Sequence, residues 1–256
     1  MQKQAVLLGA ALAALAYSGV AVVALALSSA AHAASLDGLS GTLGAGYSFG
    51  LNHGLNDLYG VDGSLDMPIA DLAGFEVQGG YHRPEGGGYD IWEIGGTVHA
   101  GNERGRLAAN FMYHDAAGNN VETYGVGGEY FVAPEITVAL RGGGVYRHSK
   151  NGGYVGGQGT WYATPNLAFS GTVDYWSAGV NQTSETLKVE WLPCETTPIS
   201  VYTGYQHWNS PGLSDSAIFV GVRFYLSGSG AQTLVDHQRR DVSGFISQSP
   251  MYDAQY

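Results

Sequence analysis

Between Val121 and Arg147 the chain reads VETYGVGGEYFVAPEITVALRGGGVYR. Tyr124, Val126, Tyr130 and Val132 fall on even positions, with Thr123, Gly125, Gly127 and Glu129 between them. After Ala133-Pro134-Glu135 the same parity resumes: Ile136, Val138, Leu140 and Tyr146 are even, and Thr137, Ala139, Arg141 and Arg147 are odd. A period of two is that of an extended strand, whose successive side chains point to opposite faces. Equal parity across so short a turn predicts that Val132 lies opposite Ile136, so that one apolar face runs unbroken through the hairpin. Pro134 lacks a backbone donor and ends the ladder.

The alternation repeats from about residue 39. Segments near 39–50, 57–68, 73–83, 89–100, 105–115, 121–132, 136–147, 153–163, 166–177, 184–192, 198–207 and 216–227 predict about twelve strands. Each is about 9 to 12 residues long, enough to cross a bilayer at a steep tilt. Asn102-Glu103-Arg104-Gly105, Gly118-Asn119-Asn120, Thr164-Pro165-Asn166 and Asn209-Ser210-Pro211-Gly212 supply turn chemistry between them. No helical period competes within this region.

Such strands suit either a soluble sandwich with its apolar face inward or a membrane barrel with that face toward lipid. Three features favour the barrel. Tyr and Trp cluster near segment ends, as at Tyr47, Tyr59, Tyr81, Tyr113, Tyr130 and Trp191, which fits aromatic girdles at two interfaces. Glycine crowds the polar parity, where it weakens a solvated strand but suits a curved interior. The strand count is even, which leaves no unpaired edge in lipid. The expected fold is therefore all-β: a closed antiparallel transmembrane barrel over residues 34–227. With both barrel ends on one side, connections after even strands should be short. Those near 51–56, 84–88, 178–183 and 208–215 should run longer.

Residues 1–33 lie outside this pattern. Lys3 is followed by an apolar run from Ala5 to Leu27 and by Ala31-His32-Ala33, which predicts a secretory signal peptide cleaved between Ala33 and Ala34. Beyond it no stretch approaches the roughly 18 to 20 apolar residues of a spanning helix. The full chain has a formal net charge of −11, and loss of Lys3 makes the mature chain more acidic still, so nucleic acid is excluded as a partner. Cys194 is the lone cysteine, which rules out an intrachain disulfide.

At its end the pattern carries Gly221-Val222-Arg223-Phe224-Tyr225-Leu226. With the signal peptide and the repeated strands, this resembles the outer-membrane β-barrel proteins of Gram-negative bacteria, small porin-like barrels in particular. The resemblance implies that Gly221, Phe224 and Leu226 form a last-strand insertion signal read by the barrel-assembly machinery. It also implies residence in the lipid of the bacterial outer membrane. In that family the signal ends the chain, whereas here residues 228–256 follow. That segment is polar around Asp236-His237-Gln238-Arg239-Arg240-Asp241 and is expected to be a disordered periplasmic tail, with a short docked helix or a segment entering the lumen as alternatives.

The polar parity nominates the lumen. Glu76, Glu93, Glu129, Asp174 and Glu190 face it with Arg141, Lys188 and Arg223, together with Asp62, Asp66, Arg106 and Arg147. These charges could sort solutes, or could pair and close the interior; Glu129 with Arg141 and Asp174 with Lys188 sit on adjacent strands. His82 and His114 should lie near the outer rim and His99 near the inner one, too far apart for a metal triad, and no cofactor is implied. The glycine runs at 86–88 and 142–144 follow no βα unit and do not cradle phosphate. A lipid-modifying enzyme would need serine beside histidine on the outer wall; that wall is nearly free of serine, and His207 is its one candidate histidine. The sequence therefore points to a passive channel for small hydrophilic solutes or ions, not an enzyme, with a filled scaffolding barrel as the alternative.

Overall fold

The computed structural model describes residues 39–51, 57–70, 73–85, 90–116, 119–147, 150–179, 181–227 and 232–240. The predicted signal peptide, with Ala33 and Ala34, and the glycine run at 86–88 lie outside the described residues. Twelve strands form: β1 Ser40–Gly50, β2 Leu58–Ala70, β3 Ala73–Pro84, β4 Ile91–Asn102, β5 Gly105–Ala116, β6 Asn119–Ala133, β7 Ile136–Arg147, β8 Lys150–Thr164, β9 Leu167–Trp176, β10 Gln182–Trp191, β11 Ile199–Ser210 and β12 Leu213–Ser227. Each pairs antiparallel with its sequence neighbours, and β1 pairs with β12 from Ser40↔Ser227 to Gly50↔Ala217, so the sheet closes on itself. Closure removes the free edges that would otherwise leave backbone donors and acceptors unmet.

The two-residue period sorts side chains as the sequence predicts. Val98, Leu107, Val126, Leu140, Val155, Val173 and Leu187 point outward and are exposed. Glu76, Arg141, Asp174 and Glu190 point inward and are buried. In β7, Ile136, Val138 and Leu140 are exposed while Thr137, Ala139 and Arg141 between them are buried. An exterior of aliphatic side chains around a polar interior inverts the arrangement of a water-soluble sandwich, and suits a barrel whose outer solvent is hydrocarbon.

The hairpin turns differ from expectation at two places. Val132 is not opposite Ile136: a bulge shifts the register so that Phe131 pairs with Thr137 and Ala133 with Ile136. Val132 and Ile136 both remain exposed, so the apolar band survives through the extra residue of the bulge, which absorbs the change of parity. Similar shifts occur at Pro68/Ala70 and Tyr162/Thr164, each just before the turn into the next strand at the same end of the barrel. The loop expected at 208–215 does not exist. β11 and β12 extend to a turn at Pro211-Gly212, where Gly212 has φ 86°. Proline before a glycine of positive φ is the signature of a type II turn. The predicted difference in loop length between the two ends is correspondingly smaller.

Residues 232–240 do not extend away from the barrel. Leu234–Arg240 form a short helix, α1. Thr233 Oγ1 accepts from the Asp236 backbone N–H at 3.2 Å and donates to Asp236 Oδ2 at 2.9 Å, while the Thr233 N–H reaches the same carboxylate at 3.4 Å. This reciprocal cap starts the helix.

Candidate functional site

The end of the barrel that carries Ser40 and Ser227 is the terminal mouth, and the opposite end is the distal mouth. Between them the inward charges are almost all engaged with one another. Glu190, at the terminal mouth, is fully buried. It accepts from Lys188 Nζ at 3.0 Å, Arg223 Nη1 at 3.3 Å, Ser200 Oγ at 2.7 Å and Tyr225 Oη at 2.6 Å. A carboxylate taken wholly out of water is tolerated only with such compensation. The Arg223 guanidinium also lies 5.3 Å over the Tyr202 ring.

The expected partners of two charges are corrected by register. Glu129 faces Arg106 directly across β5–β6 and receives Nη2 at 2.7 Å. Across β6–β7 it faces Ala139, which leaves Arg141 out of reach. Arg141 and Asp174 instead meet over β8: both are in register with Gly156, one from β7 and one from β9. Arg141 Nε donates to Asp174 Oδ1 at 2.8 Å and Nη2 donates to Oδ2. Gly156 makes this possible. A Cβ there would collide with Asp174 Oδ1 and stand 2.9 Å from Arg141 Nε. Lys188, expected near Asp174, serves Glu190.

The same device recurs along the inner wall. A Cβ at Gly80 would sit 2.8 Å from Glu93 Oε1, one at Gly44 would meet Asp62 at 2.8 Å, and one at Gly46 would meet Tyr202 Oη at 2.9 Å. Inward glycines are thus recesses over which charged and aromatic side chains from neighbouring strands lie flat. The glycine crowding of the polar parity is explained by this close approach.

The histidines fall at the predicted depths. His99 Nε2 pairs with Asp66 Oδ1 at 2.8 Å near the terminal mouth, and Glu76 is buried directly opposite Asp66. Toward the distal mouth, Glu93 stands between His114 Nδ1 at 3.1 Å and His82 Nε2 at 3.9 Å. The inward face is not polar throughout. Val121, Val145, Tyr154 and Trp176 form an apolar cluster inside the distal end of β6–β9, with the Tyr154 and Trp176 rings stacked at 4.8 Å. All four fall on the polar parity of their own segments, a signal the apolar pattern of the opposite parity masks.

The outer wall does hold a serine beside His207. Ser216 Oγ lies 2.9 Å from His207 Nδ1 and 2.8 Å from Tyr205 Oη. Ser216 is buried beneath these groups. Glu185 lies opposite His207 in the ladder, yet no hydrogen bond joins them among the described residues. A hydroxyl held by two neighbours and covered is a closed polar patch rather than a presented nucleophile.

In the last strand, Phe224 and Leu226 point outward, Phe224 lying between Leu43 of β1 and Ile199 of β11. Gly221 points inward beneath the Tyr202 ring. α1 enters the terminal mouth, a placement the capping pattern Thr233-x-x-Asp236 could have signalled but the polar composition of the tail obscured.

No protein-family model matches the chain, and no curated protein is similar to it in sequence. Among solved structures the barrel is similar to the KdgM porin, with a TM-score of 0.54 at 11% identity over 72% of this chain and 98% of that one. The same porin solved with disordered oligogalacturonate gives 0.56 at 11% identity over the same shares. The NanC porin gives 0.55 at 10% identity, again over 72% of this chain and 98% of that one. The likeness to these porins is one of fold, and in this chain that fold is a closed antiparallel barrel of twelve strands.

Proposed function

We propose that this chain is a porin-like channel of the bacterial outer membrane, passing small hydrophilic solutes and ions without chemical change. The observation that carries the reading is the inversion of the wall: an aliphatic exterior closed on itself around a charged interior. Lipid is its outer solvent, and the Gly221, Phe224 and Leu226 strand is its address for the barrel-assembly machinery. The terminal mouth is periplasmic in this arrangement. Similarity to porins supports the reading through the fold they share.

Selectivity follows from the lumen charges. Asp62, Asp66, Glu76, Glu93, Glu129, Asp174 and Glu190 outnumber Arg106, Arg141, Arg147, Lys188 and Arg223 through the depth of the barrel. A confined acidic excess raises the local concentration of cations. It disfavours a polyanion of the kind held by the neighbour solved with oligogalacturonate. Pairing of most of these charges keeps the preference mild.

Purified protein in a planar bilayer should give discrete conductance steps, with a reversal potential on the cation-selective side in a salt gradient. Glu93→Gln should reduce that preference. The absence of steps under all conditions would overturn the channel reading in favour of a filled, structural barrel with a scaffolding role.

A further inference from the structure

We propose that the terminal mouth is a built seat for this chain's own α1, and that the seated helix is a displaceable plug that sets the bore. The inference rests on the channel reading and adds a regulatory element to it.

Every turn of α1 is held by the inner wall or its turns. Leu234, fully buried, packs with Tyr162, Ala168, Leu192 and Tyr225. Its backbone N–H donates to Asn166 Oδ1 at 3.1 Å, and that of Val235 to the Pro165 carbonyl at 3.1 Å. His237 stacks on the Tyr225 ring at 4.4 Å. Gln238 is the hub: its side chain receives Tyr162 Oη at 2.9 Å and donates to Glu190 Oε2 at 3.3 Å, while its carbonyl accepts from Arg106 Nη2 at 3.0 Å. Arg239 donates to the Ala133 carbonyl at 2.6 Å and lies 4.8 Å over Phe131 and 5.6 Å over Tyr162.

Two physical points make this a latch rather than a fixed part of the wall. A helix of seven residues is far too short to persist alone in water, so α1 is helical only while seated. Its polar contacts also join the lumen's own charges: Glu190 and Arg106 each bind a wall partner and Gln238 together. Leaving the seat therefore leaves both wall ion pairs intact.

The position is eccentric. The contacts run from β5 round to β10 and β12. Twelve strands at about 4.8 Å spacing and about 40° tilt enclose a wall about 24 Å across between backbones. A helix is about 10–12 Å wide with its side chains, so a seated α1 takes a large share of the bore. The unseated state should conduct better than the seated one.

The test uses full-length chains in planar bilayers, each first checked for heat-modifiable mobility on gels to confirm a closed barrel. Leu234→Glu with Gln238→Ala and Arg239→Glu unseats the helix and should raise unit conductance. A second chain carries Asn166→Cys and Leu234→Cys with Cys194→Ser. Oxidised, it should hold the lower level without excursions; reduced, the same molecules should show openings to the higher level. Equal conductance in the unmodified, unseated, oxidised and reduced channels would overturn the plug and leave the channel reading standing. No steps in any of them would overturn both.

Discussion

Gly156→Ala is the sharpest probe of how the lumen is built. The added methyl would collide with Asp174 Oδ1 and crowd Arg141 Nε at 2.9 Å. Neither neighbour can yield without parting, because the guanidinium and carboxylate meet directly above that glycine and both residues are buried. Breaking a buried pair costs about 3–5 kcal/mol, far above the ~1 kcal/mol scale of strand propensity, which for glycine to alanine runs the other way. Gly159, on the outward face of the same strand, is the control, since a Cβ there meets nothing within 4 Å. Reversible urea unfolding in phospholipid vesicles, followed by tryptophan fluorescence, should show a large loss for Gly156→Ala and little change for Gly159→Ala. In an Asp174→Ala background the Gly156 substitution should become nearly neutral, because the clashing carboxylate is gone. Equal unfolding midpoints for the two glycine variants would refute the claim that inward glycines are recesses for neighbouring side chains.

Further outcomes follow from the same geometry. Glu190→Leu strips the shared acceptor from Lys188, Arg223, Ser200 and Tyr225, and should cost about 3–5 kcal/mol in urea unfolding while moving the reversal potential toward anions. Leu140→Arg puts a cation on the outward face and should cost about 2–4 kcal/mol near the bilayer midplane by the same assay. A fluorophore on a cysteine at Val138 should be quenched by brominated acyl chains, whereas one at Ala139 should not. Incubation with phospholipid should release no fatty acid, since Ser216 is covered by His207 and Tyr205.

Much of the barrel was legible because its two solvents are so different. A one-residue slip would carry Arg141 outward and Leu140 inward, so parity alone identifies the face of nearly every strand. Parity says nothing of which inward charge meets which. That depends on register between strands and on the room beneath each side chain: over the recess at Gly156, Arg141 reaches past β8 to Asp174, a strand farther than adjacency suggested. Strand ends were missed where turns are tight, as at Pro211-Gly212, because the flanking Asn209 and Ser214 are as common in loops as in strands. α1 was hidden for another reason. Its sequence is polar on the scale of a soluble helix, and only a polar lumen makes those residues complementary to a wall.

The seam between β1 and β12 joins the first strand of the barrel to the last. Hairpins can zip locally as each turn closes, yet this final ladder must bring residues 40 and 227 together across the whole chain, the largest loop-closure cost in the molecule. Until it forms, two strands carry a full row of unmet amides, which hydrocarbon does not tolerate. Assembly is therefore a single late commitment: the wall is complete only when its carboxyl-terminal strand arrives, and a chain shortened into that strand is left as an open sheet with no stable place in lipid.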